Sequence, residues 1–156
     1  SHAHSKNIVH RDLKPQNILL KQEQKGVRAK ISDFGLSKNF TQAGFSGMTI
    51  TGTYAGSYPF MPREQVTNFK YVKPVSDIWS LAATFYFLLT GQLPRDMREG
   101  DDPLEAILTG VIIPIRARRP DLSKDLAQII DKALLNNPVN RFQDASSMRK
   151  AIIKLL

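Results

Sequence analysis

The chain has no cysteine in its 156 residues, which excludes disulfides and thiolate metal sites. Many cytosolic proteins also lack the residue, so its absence assigns no compartment. No stretch reaches the apolar length of a membrane-spanning helix, and the N-terminus lacks the layout of a signal peptide. The expected location is therefore cytoplasmic. There is no internal repeat and no low-complexity tract. Acidic residues are comparatively scarce, 14 against 22 basic ones, for a net charge of +8. Such a charge attracts nucleic acid, anionic lipid or acidic peptides. The basic residues are nevertheless dispersed. Their densest group, Arg116, Arg118 and Arg119, has no interleaved aromatics to stack on bases. It reads as a solvated basic surface, with no nucleic acid as partner.

The remaining composition, 42% hydrophobic and 23% charged, is that of an ordinary globular domain long enough to bury a core. Ile18–Leu20 and Ala29–Ile31 are short apolar runs on either side of a polar turn from Gln22 to Gly26. They predict a hairpin. From Leu36 to Met61 the chain is rich in Gly, Ser and Thr without a sustained period, which predicts a mobile loop. From Ser76 to Thr90 apolar residues crowd nearly every face, the pattern of a helix buried in the middle of a domain. Gly91 is its expected stop, with Pro94 just beyond. Trp79 reads as a core anchor. Asp102-Pro103 opens a short helix. Ser123 can cap a helix striped with Leu126, Ile129, Ile130, Ala133 and Leu134. Pro138 closes that region, and Ala145, Met148, Ile152 and Leu155 mark a last amphipathic helix.

Chemistry concentrates in the run His10-Arg11-Asp12-Leu13-Lys14-Pro15-Gln16-Asn17, followed sixteen residues after Asn17 by Asp33-Phe34-Gly35. An acid, a lysine and an amide sit at fixed offsets on one loop, and a second acid precedes a glycine. Together they can bind metal and phosphate and take a proton from an alcohol. Any one of these residues alone would more simply cap a turn. Two linked motifs at matching offsets are a far more specific signal.

The spacing is H-R-D-L-x-x-x-N with D-F-G, and the chain resembles the C-terminal lobe of a eukaryotic-type (Hanks-type) serine/threonine protein kinase. The resemblance covers nearly all 156 residues, and the ending Asn137 to Gln143 is similar to the bacterial branch. It implies a mainly α lobe with one small β-hairpin, ATP and Mg²⁺ as cofactors, and proteins bearing Ser or Thr as substrates. The implied layout is a partial kinase domain over 1–156. Its parts are a catalytic loop at 10–17, a metal-binding segment at 33–35, an activation segment at 33–64 and C-terminal helices over 76–156. By resemblance Asp12 accepts or orients the substrate hydroxyl proton and Lys14 reaches the γ-phosphate. Asn17 and Asp33 hold Mg²⁺, and Leu19 lies under the adenine. Lys14 followed by Pro15 is the serine/threonine version of the loop. Arg11 implies control by a phosphorylated threonine, with Thr49, Thr51 and Thr53 in the right stretch. Ser57 stands where the family has a threonine contacting the catalytic acid and lysine. His10 and Phe34 are implied to stack, Asp77 to anchor the catalytic loop, and Glu64 to pair with Arg141.

Several family features are absent or altered. The expected A-P-E reads Pro62-Arg63-Glu64, so the substrate-docking turn is expected to be reshaped. There is no glycine-rich loop, no strand lysine and no helix glutamate to pair with it. His2 to Ser5 looks like the last turn of a helix leading into the catalytic loop. The expectation is a lobe that is inactive by itself and self-associates through apolar surface. The alternative is a kinase-like scaffolding lobe, against which stand the intact Asp12, Lys14, Asn17 and Asp33.

Overall fold

A computed structural model describes residues 2–6, 8–24, 26–34, 57–69 and 72–156. A short helix, α1 (His2–Ser5), leads to the catalytic-loop sequence. A 3₁₀ turn follows at Pro15–Asn17, then β1 (Ile18–Glu23) and β2 (Gly26–Ile31). The two strands pair antiparallel with Ile18 opposite Ile31 and Glu23 opposite Gly26. The hairpin is longer than its apolar runs, because Gln22 and Glu23 continue the ladder.

The other elements are helical. A 3₁₀ turn at Tyr58–Phe60 precedes α2 (Arg63–Thr67), α3 (Pro74–Thr90), α4 (Pro103–Thr109), α5 (Ile115–Arg118), α6 (Lys124–Ala133) and α7 (Ala145–Ile153). Among the described residues the fold is mostly helical with one two-stranded sheet, the class the sequence suggested.

The core forms around α3, which packs on Tyr58–Phe60, α5 and α6, while α7 packs on α6. Pro74 occupies the first turn, where its missing N–H costs nothing. Gly91 ends the helix in the left-handed region at φ 69°, its N–H donating to Phe87 O at 2.8 Å. Ser80 and Thr84 are buried because each hydroxyl donates to the carbonyl one turn earlier, Ser76 O and Ser80 O. Trp79 is fully buried, and its indole N–H donates to Leu134 O at 3.0 Å, tying α3 to the end of α6. Asp102 and Ser123 cap α4 and α6 with side-chain oxygens on Leu104 N and Leu126 N.

Four expectations need correction. Burial of α3 does not extend all round: Leu88 is 63% exposed, although its neighbours Phe87 and Leu89 pack against the core. The last part of the expected Leu36–Met61 loop is structured, with Ser57, Tyr58 and Phe60 buried against α3. Aromatic burial overrides the local composition there. Most of that stretch (residues 36–56) lies outside the described residues. Leu155 falls beyond the end of α7 and is exposed. Finally, the Arg116–Arg119 group is not a free basic surface. Arg118 donates to Tyr86 Oη at 3.0 Å, to Gln92 and to Asp96, Arg119 donates to Leu89 O at 2.7 Å, and Arg116 donates to Pro120 O. These guanidiniums fasten the α5 segment to the end of α3 and the turn after it.

Candidate active site

The backbone of the loop at residues 10–17 hangs from one acid. Asp77, in the first turn of α3, accepts the His10 N–H on Oδ2 and the Arg11 N–H on Oδ1, both at 2.9 Å. Arg11 has φ 69°, a left-handed conformation that costs a non-glycine residue on the order of 1–3 kcal/mol. Its peptide is held from both ends, since Arg11 O also accepts from Gln65 Nε2 at 2.6 Å. His4 Nε2 adds a third bond to Asp77, at 2.8 Å.

His10 couples this loop to the end of the hairpin. The Asp12 N–H can only donate, so His10 Nδ1 accepts it at 3.2 Å. Ser32 O can only accept, so His10 Nε2–H donates to it at 2.7 Å. One neutral tautomer satisfies both bonds. The imidazole also meets the Phe34 ring edge-on, with centroids 4.7 Å apart.

Three side chains and a hydroxyl then converge. Asp12 Oδ2 lies 3.1 Å from Lys14 Nζ and accepts from Asn17 Nδ2 at 3.0 Å. The same Asn17 amide donates to Asp12 O at 2.8 Å, and Lys14 Nζ donates to Ser57 Oγ at 2.7 Å. Ser57 thus meets the lysine, with no hydrogen bond to Asp12 among the described residues. Asn17 is buried, carried by the 3₁₀ turn that Pro15 opens.

Across the hairpin base, the Ser32 N–H donates to Asn17 O at 2.9 Å, just beyond the Ile18–Ile31 pair. This brings Asp33 to the same end of the sheet as Asn17, although the two side chains make no bond to each other. Asp33 sits at φ 59°, exposed, and its carboxylate accepts, among the described residues, one 3.3 Å contact from Ser32 Oγ. Leu19 is on the exposed hairpin surface opposite Lys30.

Farther from this cluster, Glu64 and Arg141 form a bidentate pair with contacts of 2.6 and 3.0 Å. Burial alone would push the Glu64 carboxyl up. The hydrogen bond and charge of Arg141 outweigh it, helped by a backbone bond and Ser76 Oγ, and hold it below the ordinary value of 4.5. The altered Arg63 donates to Ile107 O and Gly110 O at the end of α4, a fastening that proline could not make. Arg11 places its guanidinium 4.9 Å from the Phe69 ring centroid. Thr49, Thr51, Thr53 and Gly35 lie outside the described residues.

Sequence reasoning passed over Gln65, His4 and Ser32, whose contributions depend on partners far along the chain or on a backbone carbonyl. It also passed over Arg95, which is buried with its guanidinium carbon 4.4 Å from the Trp79 ring centroid. Nothing in a charged residue beside a proline signals burial.

The protein kinase domain model matches residues 1–152. This chain belongs to the protein kinase family. The serine/threonine-protein kinase PknB of Mycobacterium tuberculosis is 34% identical over 156 residues, 98% of this chain. PknB of Mycobacterium leprae is 32% identical over the same share. The mycobacterial relatives support the bacterial branch of the serine/threonine kinases. The chain spans 24% of the length of these relatives. Among solved structures, the Rad53 kinase domain with SCD2 in complex with AMPPNP superposes with a TM-score of 0.67 at 28% identity. That match covers 97% of this chain and 51% of that one. The PknI kinase domain of Mycobacterium tuberculosis gives 0.64 at 24% identity over 99% of this chain and 50% of that one, a likeness of fold. Among the described residues no helix is long and apolar enough to cross a membrane.

The donors present fit a magnesium ion. Asn17 Oδ1 makes no hydrogen bond among the described residues and the Asp33 carboxylate is only lightly engaged, and hard oxygens of this kind suit Mg²⁺. No cluster of three or more His, Cys, Asp or Glu side chains exists among the described residues.

Proposed function

We propose that this lobe is the floor of a phosphoryl-transfer site that moves the γ-phosphate of ATP to serine or threonine hydroxyls of proteins. The observation that carries the reading is the sharing of Asp12 Oδ2 by Lys14 and Asn17, beside the Ser57 hydroxyl. Asp12, with its carboxylate fixed by the amide, receives the proton as the substrate O–H bond breaks and the new P–O bond forms. The bond to the departing ADP oxygen breaks in the same displacement. Lys14, pinned between Asp12 and Ser57, sets a positive charge where the migrating group accumulates negative charge. Asn17 and Asp33 are the residues that would hold Mg²⁺, which when bound neutralises phosphate charge. Leu19 supplies apolar surface for the adenine. Arg11 is the proposed receiver of a phosphate on Thr49, Thr51 or Thr53, for which a guanidinium is suited by its paired N–H groups.

The upper lobe is proposed to lie outside this sequence and to cover the exposed apolar hairpin, where Leu19, Leu20, Val27 and Ile31 face outward. Without it, the 156-residue chain positions only half of the nucleotide and should have negligible transfer activity. Its bare apolar face should instead drive self-association. The test is incorporation of radiolabelled phosphate from ATP into a mixed Ser, Thr and Tyr peptide set. A chain extended through an upper lobe should label serine and threonine, and the 156-residue chain should label nothing above background. Labelling of tyrosine alone, or turnover by the 156-residue chain at the extended chain's rate, would contradict the reading.

A further inference from the structure

A second cleft, sharing no residue with the site around Asp12, opens where the start of α2, residues 111–114 and the end of α6 meet. It encloses about 300 Å³ and is walled by Ile112, Pro114, Leu134 and Leu135, with Arg63 and Asp131 as its charged groups. Apolar walls with a few polar groups at that volume are the pattern of a binding pocket. Its rim is apolar as well: Val111 is 78% and Leu135 43% exposed.

The charges have a sign preference. Arg63 commits Nε and Nη2 to Ile107 O and Gly110 O, and Nη1 has no hydrogen bond among the described residues. Immediately behind Gly110 lies Arg95, whose Cδ would be 3.3 Å from a Cβ added there. Arg95 is 2% exposed and donates from Nη1 to Met61 O. Its Nε and Nη2 are buried with no hydrogen bond among the described residues. The neighbouring Arg141 is paired with Glu64, whereas Arg95 makes no ion pair among the described residues and feels Glu64 only as a weaker influence than burial and the charges of Arg63 and Arg141. Against these two guanidiniums stands one carboxylate, Asp131, which already accepts the Ile115 N–H on Oδ1. At the wall itself Arg63 and Asp131 offset each other, so the local excess of positive charge comes from the buried Arg95 behind it, and the whole chain carries +8. An acidic partner is therefore both drawn in at long range and matched locally.

We infer that this cleft docks an extended protein segment bearing an aliphatic side chain beside a carboxylate, the aliphatic group against Leu134 and Leu135 and the carboxylate on Arg63. The inference draws on the proposed function only in taking protein segments as partners. Binding needs no phosphoryl transfer, so the two readings fail separately.

Fluorescence anisotropy of the 156-residue chain, titrated into a labelled peptide of paired leucines flanked by glutamates, provides the test. Saturable binding is expected, weakened at least about tenfold when lysines replace the glutamates. Leu135→Glu, at a half-exposed position, should cause a comparable loss with an unchanged unfolding midpoint. Asp131→Asn should leave binding equal or tighter. Absence of saturation, equal or tighter binding of the lysine peptide, weaker binding by Asp131→Asn, or indifference to Leu135→Glu would overturn the inference. So would retention of anionic phospholipid vesicles that Leu135→Glu abolishes while the glutamate peptide fails to bind, because that result would assign the cleft to a membrane surface.

Discussion

Replacing Glu64 with alanine isolates the energetic centre of the lower lobe. The Arg141 side chain is wholly buried while that of Glu64 is 22% exposed, so Glu64→Ala strands a guanidinium that water cannot reach. Removing one partner of a buried pair typically costs 3–5 kcal/mol, so about 3 kcal/mol is expected here. The low end applies because Arg141 keeps its bonds to Leu135 O at 2.6 Å and Asn136 O at 2.9 Å. The like charge of Arg95 acts on the same spot, so the stranded guanidinium gains no relief from that side. For a domain of this size that loss corresponds to a fall in Tm of roughly 6–12 °C. Trp79, the one tryptophan and fully buried, gives the fluorescence signal for urea unfolding. The pH dependence has a definite sign. The Glu64 carboxyl is held below 4.5 in the fold, so its contribution is complete above that value and is lost as pH falls through the folded-state value. The gap between the parent chain and Glu64→Ala should therefore shrink on acidification below about pH 4.5. A midpoint unchanged to within about 0.5 kcal/mol at neutral pH would refute the buried-pair account.

Other substitutions probe separate links. Asp77→Ala should release the amides of His10 and Arg11 and relax the positive φ at Arg11, costing about 3 kcal/mol; unchanged hydrogen-exchange protection at those two amides would contradict this. Trp79→Phe removes the donor to Leu134 O and weakens the Arg95 contact, for a loss of about 1–3 kcal/mol by thermal melting. At Gly110 a Cβ would stand 2.3 Å from Ala106 O, so Gly110→Ala should displace the end of α4 and destabilise by about 1–3 kcal/mol. A melting temperature equal to that of the parent chain would show that the turn adapts freely.

Much of the site was legible because its determinants are local. Asp12, Lys14 and Asn17 fall within one loop, and Pro15 opens the turn that carries Asn17. The apolar runs at Ile18 and Ile31 gave the hairpin that brings Asp33 alongside. The helix opening at Asp102-Pro103, the cap at Ser123 and the stop at Gly91 followed from a proline suited to a first turn, a side-chain oxygen and a glycine able to take a left-handed φ. What escaped notice is set by distant packing. Arg95 is buried because Trp79 offers a ring face and Met61 a carbonyl, neither of which is near it in sequence. Arg118 and Arg119 count as surface charge until Tyr86, Asp96 and Leu89 O come within reach. The helices α2 and α5 are too short to carry a period.

Under the proposed function, Asp12 serves the proton and Asp33 the magnesium at one site. In a chain extended through its upper lobe, Asp12→Asn and Asp33→Asn should be compared for Mg²⁺-dependent binding of a fluorescent ATP analogue and for transfer to a serine peptide. The account predicts that Asp12→Asn keeps binding and loses transfer, whereas Asp33→Asn loses both. Transfer that survives Asp12→Asn at the parent rate, or Mg²⁺-dependent binding indifferent to Asp33→Asn, would contradict it.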